Sequence, residues 1–155
     1  MNKSQNQFLE LLKAGLWGVA PNLDNFRSER IDWRSIYRIS NAQAVTVVVY
    51  DGIETLPEDL WPPIEAVHKF AMARIKTTQM HELLNSTLAQ IVTALESEGV
   101  HSVLLKGQGV AQNYRNPVRR ACGNLDIYTG DTGYKRAFEI IGNSAADWEE
   151  RRRFA

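Results

Sequence analysis

A single cysteine, Cys122, stands in 155 residues. A lone thiol excludes an internal disulfide and a cysteine-based zinc cluster, and it fits a reducing compartment. An excess of charge of either sign is also missing, since Lys plus Arg and Asp plus Glu number 18 each. A balanced chain has no broad electrostatic footprint for nucleic acid, so a nucleic-acid partner is not expected beyond a local patch. Long apolar runs are absent. The longest, near Ala44 to Tyr50, is interrupted by Thr46 and is far too short to span a bilayer. The start, Met-Asn-Lys-Ser-Gln-Asn-Gln, lacks the apolar centre of a signal peptide. These absences predict a cytoplasmic protein with no membrane partner. His68, His81 and His101 fall at spacings that match no metal pair and read as structural or surface residues.

What is present is ordinary for a soluble globular chain: 44% hydrophobic and 23% charged residues, enough to bury a substantial core in one domain, with or without a helical appendage. Ser4-Gln5-Asn6-Gln7 has the form of a capping box, and Phe8, Leu12 and Leu16 repeat every four residues, which predicts a short amphipathic helix weakened by Gly15 and Gly18 and closed at Pro21-Asn22. Residues 21–31 read as a polar connection. Asp32 can cap a helix from Trp33, with Ile36, Tyr37 and Ser40 on one side. Val45 to Tyr50 has strand propensity but no apolar/polar alternation. Its setting between helical signals favours a buried helix ending near Asp51-Gly52. Pro62-Pro63 suits the first turn of a new helix. From Ile64 through Leu95, apolar residues recur every three to five positions, either as one helix of about 35 residues or as two broken near Thr77-Thr78, with Gly99 as a stop. Asp131 can cap a last helix from Thr132 to Ile141, ended by Gly142-Asn143. The Glu149-Glu150 and Arg151-Arg152-Arg153 run reads as a solvated tail.

The stretch from Val103 to Tyr128 is the one with chemistry in it. It reads as a buried strand over Ser102 to Leu105, a glycine turn, a short helix, an Arg-rich loop and a second strand carrying Asp126. Strand–turn–helix units with bare backbone N–H groups cradle phosphates, and an acid at the start of the next strand suits a phosphate-bound Mg²⁺. The plain alternative is a βαβ piece of core. Gly107-x-Gly109-x-x-Gln112 is a damaged dinucleotide fingerprint, and Asn116-Pro117 breaks the crossover helix that such a site needs. Lys106 precedes the glycines, so this is not a P-loop. Arg119 and Arg120 lie near Cys122, but no partner histidine marks that thiol as a nucleophile. Asn124 and Asp126 are two apart, and on a strand their side chains share one face. Paired carboxylates so placed hold two Mg²⁺ ions astride a nucleoside triphosphate. Here one member is an amide, which brings no charge, and the metal site is weakened accordingly.

At these residues the chain resembles the nucleotidyltransferase superfamily, specifically the bacterial group of uncharacterised nucleotidyltransferases. The matches are Leu104-Leu105-Lys106-Gly107, Tyr114, Pro117, Arg119 or Arg120, and Gly123-Asn124-Leu125-Asp126-Ile127. The resemblance implies an α+β fold: a mostly helical N-terminal region (1–99), a small, truncated polymerase-β-like palm of mixed sheet and helices (100–143), and a polar charged tail (144–155). It implies Mg²⁺ at Asn124 and Asp126, also the catalytic positions. It implies a triphosphate at Lys106, Gly107 and Gly109, with Lys106, Arg119 or Arg120 neutralising its charge. The expected activity is transfer of an NMP from an NTP to an unidentified hydroxyl acceptor. Two departures predict weak or absent turnover: Asn124 replaces the family's first aspartate, and no later strand-like run supplies a third carboxylate. The alternative is a degenerate transferase fold that binds nucleotide or a protein partner without catalysis, or a fragment that does not fold alone.

Overall fold

The computed structural model describes residues 2–28, 30–130 and 133–142. It divides into two compact units, Met1–His81 with Ala111–Cys122, and Glu82–Val110 with Gly123–Ala155.

The first unit is helical. Helix α1 (Lys3–Trp17) starts at an Asn2 cap, whose side chain accepts the Gln5 N–H at 3.0 Å while the Gln5 side chain accepts the Asn2 N–H at 2.8 Å. The capping box is therefore Asn2-x-x-Gln5, two residues before the one expected at Ser4. The reason lies with Gln7, which is buried and donates its Nε2 to the Asn25 carbonyl at 2.9 Å, so it has no part in a cap. The buried face is Gln7, Phe8, Leu11 and Ala14 rather than the expected Phe8, Leu12 and Leu16. Gly18 closes the helix in the left-handed region, φ +68°. Residues 21–31, expected to be a polar connection, contain a short helix, α2 (Asp24–Arg27), which puts Phe26 into the core. Helix α3 (Trp33–Ala42) begins at Asp32 as expected, with the carboxylate accepting the Ser35 N–H at 3.0 Å.

Helix α4 (Thr46–Ile53) settles the ambiguous valine run as helix. Three adjacent β-branched residues each lose a few tenths of a kcal/mol in a helix. Burying Val47, Val48, Val49 and Ile53 nearly completely returns roughly 1.5–3 kcal/mol apiece, so packing wins. The close crossing of α1 and α4 depends on two glycines. A Cβ on Gly15 would lie 1.8 Å from the Val48 carbonyl oxygen, and one on Gly52 would lie 2.0 Å from that of Leu11. Gly15 thus serves packing and does not weaken the helix end. Around this crossing gather Phe8, Leu11, Phe26, Trp33, Ile36, Val49, Tyr50, Ile53, Leu56 and Phe70, with Phe70 edge-on to Tyr37 and stacked on Tyr50.

Helix α5 (Ile64–Ser97) follows Pro62-Pro63 as one unbroken helix of 34 residues. Its last turns belong to the second unit, where Ile91, Leu95, Val100 and Ala137 form a small core flanked by Leu125, Ile127, Ile140 and Ile141. Gly99 leaves the helix at φ +72°. Strand β1 (Val103–Leu104) pairs antiparallel with β2 (Ile127–Tyr128), Val103 opposite Tyr128 and Leu104 opposite Ile127. Between them the chain makes the single-turn helix α6 (Gln108–Ala111), in the second unit up to Val110, and a 3₁₀ turn at Pro117–Arg119, in the first. Helix α7 covers residues 133–142. The expected Asp131 cap, the Asn143 stop and the 144–155 tail lie outside the described residues.

The expected mixed sheet is, among the described residues, a two-stranded antiparallel pair, so the unit is a reduced palm-like region and not a parallel βαβ unit. The expectation of a buried first strand is also corrected. Val103 and Leu105 are more than half exposed, because only one face of a two-stranded sheet meets this core.

Gly52→Ala should lower stability by about 2 kcal/mol or more, since the new methyl meets backbone that cannot yield; urea denaturation checks this. Asp32 gives a pH signature. The Ser35 side chain and backbone N–H hold its pKa below the ordinary aspartate range. Its contribution is complete above that range and is lost as pH falls through the lowered value. Asp32→Asn should keep the cap and flatten the acid limb of the stability profile, whereas Asp32→Ala should cost about 1 kcal/mol at neutral pH.

Candidate functional site

The register of β1 and β2 extends past the strands. The Leu105 N–H donates to the Asp126 carbonyl at 2.9 Å, and the same register sets Gly107 against Asn124. A Cβ on Gly107 would sit 3.2 Å from the Asn124 carbonyl oxygen, and the residue is at φ +68°, so glycine is required there on both counts. Leu125 and Ile127 turn into the core, and the intervening Asp126 is thereby turned away from it. Asn124 and Asp126 precede the strand proper instead of lying on it, yet their side chains meet.

The contact is specific. Asn124 Nδ2 donates to both carboxylate oxygens of Asp126, at 3.1 and 3.0 Å, and Lys106 Nζ lies 3.4 Å from Oδ2. The amide nitrogen must be the atom facing the acid, because the amide oxygen in its place would set two acceptors together. Lys106, Gly107, Asn124 and Asp126 are thus brought into one cluster. Gly109 is in α6 beside the Leu104 side chain, where a methyl group would make ordinary contacts.

Arg119 and Arg120 belong to the first unit. Arg120 Nη1 donates to Cys122 Sγ at 2.9 Å. Arg119 Nε is 3.5 Å from Asp51 in an ion pair that lacks hydrogen-bond geometry. Asp51 also accepts from Arg74, which makes two further hydrogen bonds to Glu54 and lies 4.1 Å from the Tyr50 ring centre. Burial pushes the Asp51 carboxyl above the ordinary aspartate range against the pull of Arg119 and Arg74. Asp51, Glu54 and Arg119 line a cleft of about 350 Å³ with Ala14, Gly15, Arg115 and Asn116.

Among the described residues, no three His, Cys, Asp or Glu side chains converge on a point that could hold a metal. Mg²⁺ commonly takes one or two carboxylates and completes its shell with water and substrate phosphates. One carboxylate, with the Asn124 nitrogen turned toward it, fits a single weakly held ion completed by phosphate and does not fit a pair of ions. No helix among the described residues is long and apolar enough to cross a membrane.

Two residues that support the turn escaped the sequence reading. Gln108 is almost fully buried, and its Nε2 donates to Asn85 Oδ1 on α5 at 3.1 Å. Nothing in one sequence pairs residues 23 apart. Gln108→Ala should cost about 1–2 kcal/mol and raise amide exchange across residues 106–110, measured by hydrogen–deuterium exchange.

No curated protein and no solved structure matches the chain. A family model does, over residues 29–153, and its description is "Uncharacterised nucleotidyltransferase". With most of its length matched, and with Lys106, Gly107 and Asp126 gathered on a reduced palm-like region, the chain belongs to the uncharacterised nucleotidyltransferase family.

Proposed function

We propose that this protein binds a Mg²⁺–nucleoside triphosphate at the Lys106–Gly107 turn and transfers the NMP to a hydroxyl acceptor, with weak turnover in its present sequence. The observation that carries the reading is the convergence of Lys106 Nζ and the Asp126 carboxylate beside a glycine that only a bare backbone can occupy. Lys106 supplies a mobile positive charge for phosphate oxygens, while Gly107 shapes the turn, its Cβ position facing the Asn124 carbonyl. Asp126, with the Asn124 oxygen once its amide turns, would hold the ion. When bound, Mg²⁺ supplies charge neutralisation on the phosphates. In the transfer, the acceptor oxygen forms a bond to the α-phosphorus, the bond to the pyrophosphate oxygen breaks, and the acceptor proton leaves to solvent.

A second reading, nucleotide or partner binding without catalysis, is favoured by one observation. The Asn124 amide directs donors, not lone pairs, at the only carboxylate of the cluster. The two readings part on pyrophosphate release: binding of Mg²⁺–ATP or Mg²⁺–GTP with no release above buffer selects the second.

Asn124→Asp should tighten Mg²⁺–NTP binding about tenfold or more by adding a charged ligand, and Asp126→Ala should abolish the metal-dependent part. Titration calorimetry that finds the Asn124→Asp chain unchanged would remove the metal assignment from these residues.

A further inference from the structure

Asp126 is not an open carboxylate. Both of its oxygens accept from the Asn124 amide, and one also faces the Lys106 ammonium. The two partners differ in how firmly they are held. Asn124 is short, and its Nδ2 contacts both carboxylate oxygens at once. Lys106 is 64% exposed and sits on a flexible four-carbon stem, so it can leave at little cost.

We infer that Lys106 is the resting counter-cation of Asp126, and that the site consequently discriminates against a free divalent ion and accepts one only together with a polyphosphate. This rests on the nucleotide reading of the turn. A free dication must displace the ammonium from Asp126, and breaking an exposed ion pair of this kind costs up to about fivefold in affinity. A polyphosphate changes the balance. Its oxygens offer Lys106 charge-assisted hydrogen bonds, the ammonium moves from Asp126 to phosphate, and the carboxylate is released as the ion arrives. Nucleotide and ion then bind with positive coupling, each raising the affinity of the other by the same factor. Asn124 strengthens the discrimination, because its donors occupy both Asp126 oxygens without adding a ligand charge. In a site with two aspartates, a single lysine would leave net negative charge and the free ion would be held more readily.

The test uses the whole chain and Mn²⁺ as a spin-active divalent probe, followed by electron paramagnetic resonance without nucleotide. The native chain should bind Mn²⁺ weakly. Lys106→Met should bind it about two- to fivefold more tightly while its affinity for a non-hydrolysable nucleotide falls. Lys106→Arg, which keeps the charge, should stay close to the native value for Mn²⁺. Asp126→Ala should bind none at this site and provides the baseline. Equal Mn²⁺ affinity for the native and Lys106→Met chains overturns the inference, as does a Lys106→Arg chain that behaves like Lys106→Met. Thermal melts confirm that the exposed substitutions leave the fold intact. Should the native chain bind no nucleotide at all, the functional reading fails on its own, and the Mn²⁺ comparison still decides whether Lys106 is the counter-cation.

Discussion

The pairing of Val103 with Tyr128 and Leu104 with Ile127 is the constraint on which the candidate site depends. A shift of one residue would move Asp126 into the core and Leu125 and Ile127 out of it, since side chains alternate along a strand. The apolar cost of that shift is several kcal/mol, far above any gain at the polar cluster. The small core under β2 therefore decides where the acid points, and the acid has no influence over the core. The Leu105 N–H bond to the Asp126 carbonyl carries the same register to the turn, where Gly107 meets the Asn124 carbonyl.

Helix positions were legible where the signal was local. Asp32 ahead of Trp33, Pro62-Pro63 ahead of Ile64, and Gly99 after Ser97 are single-residue devices, and each marks the boundary that the structure shows. Whether residues 64–97 formed one helix or two was not a local matter, because Thr77-Thr78 only weakly disfavours a helix that packing can sustain. Packing decided the cases that propensity got wrong or left open. Val47, Val48 and Val49 are helical because they are buried. Gln7 was unavailable for capping because it is needed at Asn25. Phe26 gave no periodic signal, since a four-residue helix shows none.

The same distinction applies to the site. Gly107 and Asp126 suggested phosphate and metal by residue type and position, and the phosphate role of Lys106 came from the family resemblance. The spacing of Asn124 and Asp126 put them on one face only if they lay on a strand; they precede it, and their side chains still meet. The contacts that hold the cluster were invisible: Gln108 with Asn85, and Lys106 with Asp126, cross 20 or more residues. Arg119 looked like a phosphate ligand by position in the sequence, and its observed neighbour is a carboxylate, Asp51.

Asn124 can now be weighed as a physical choice between two states of the site. An aspartate there would put two carboxylates in contact, and without a cation their repulsion would oppose the approach of residues 124–126 to the turn. The amide reverses the sign of that interaction, because the same atoms now donate to Asp126 and stabilise the cluster in the absence of any ligand. The gain in the empty state is a loss in the loaded one, since each donor directed at Asp126 is a ligand withheld from an ion. With Lys106 as the resting counter-cation we propose, such a site is stable at rest and opens when a polyphosphate draws the ammonium away. On that proposal, weak metal affinity and a well-formed resting cluster both follow from the amide at Asn124, and neither requires the fold around it to be degraded.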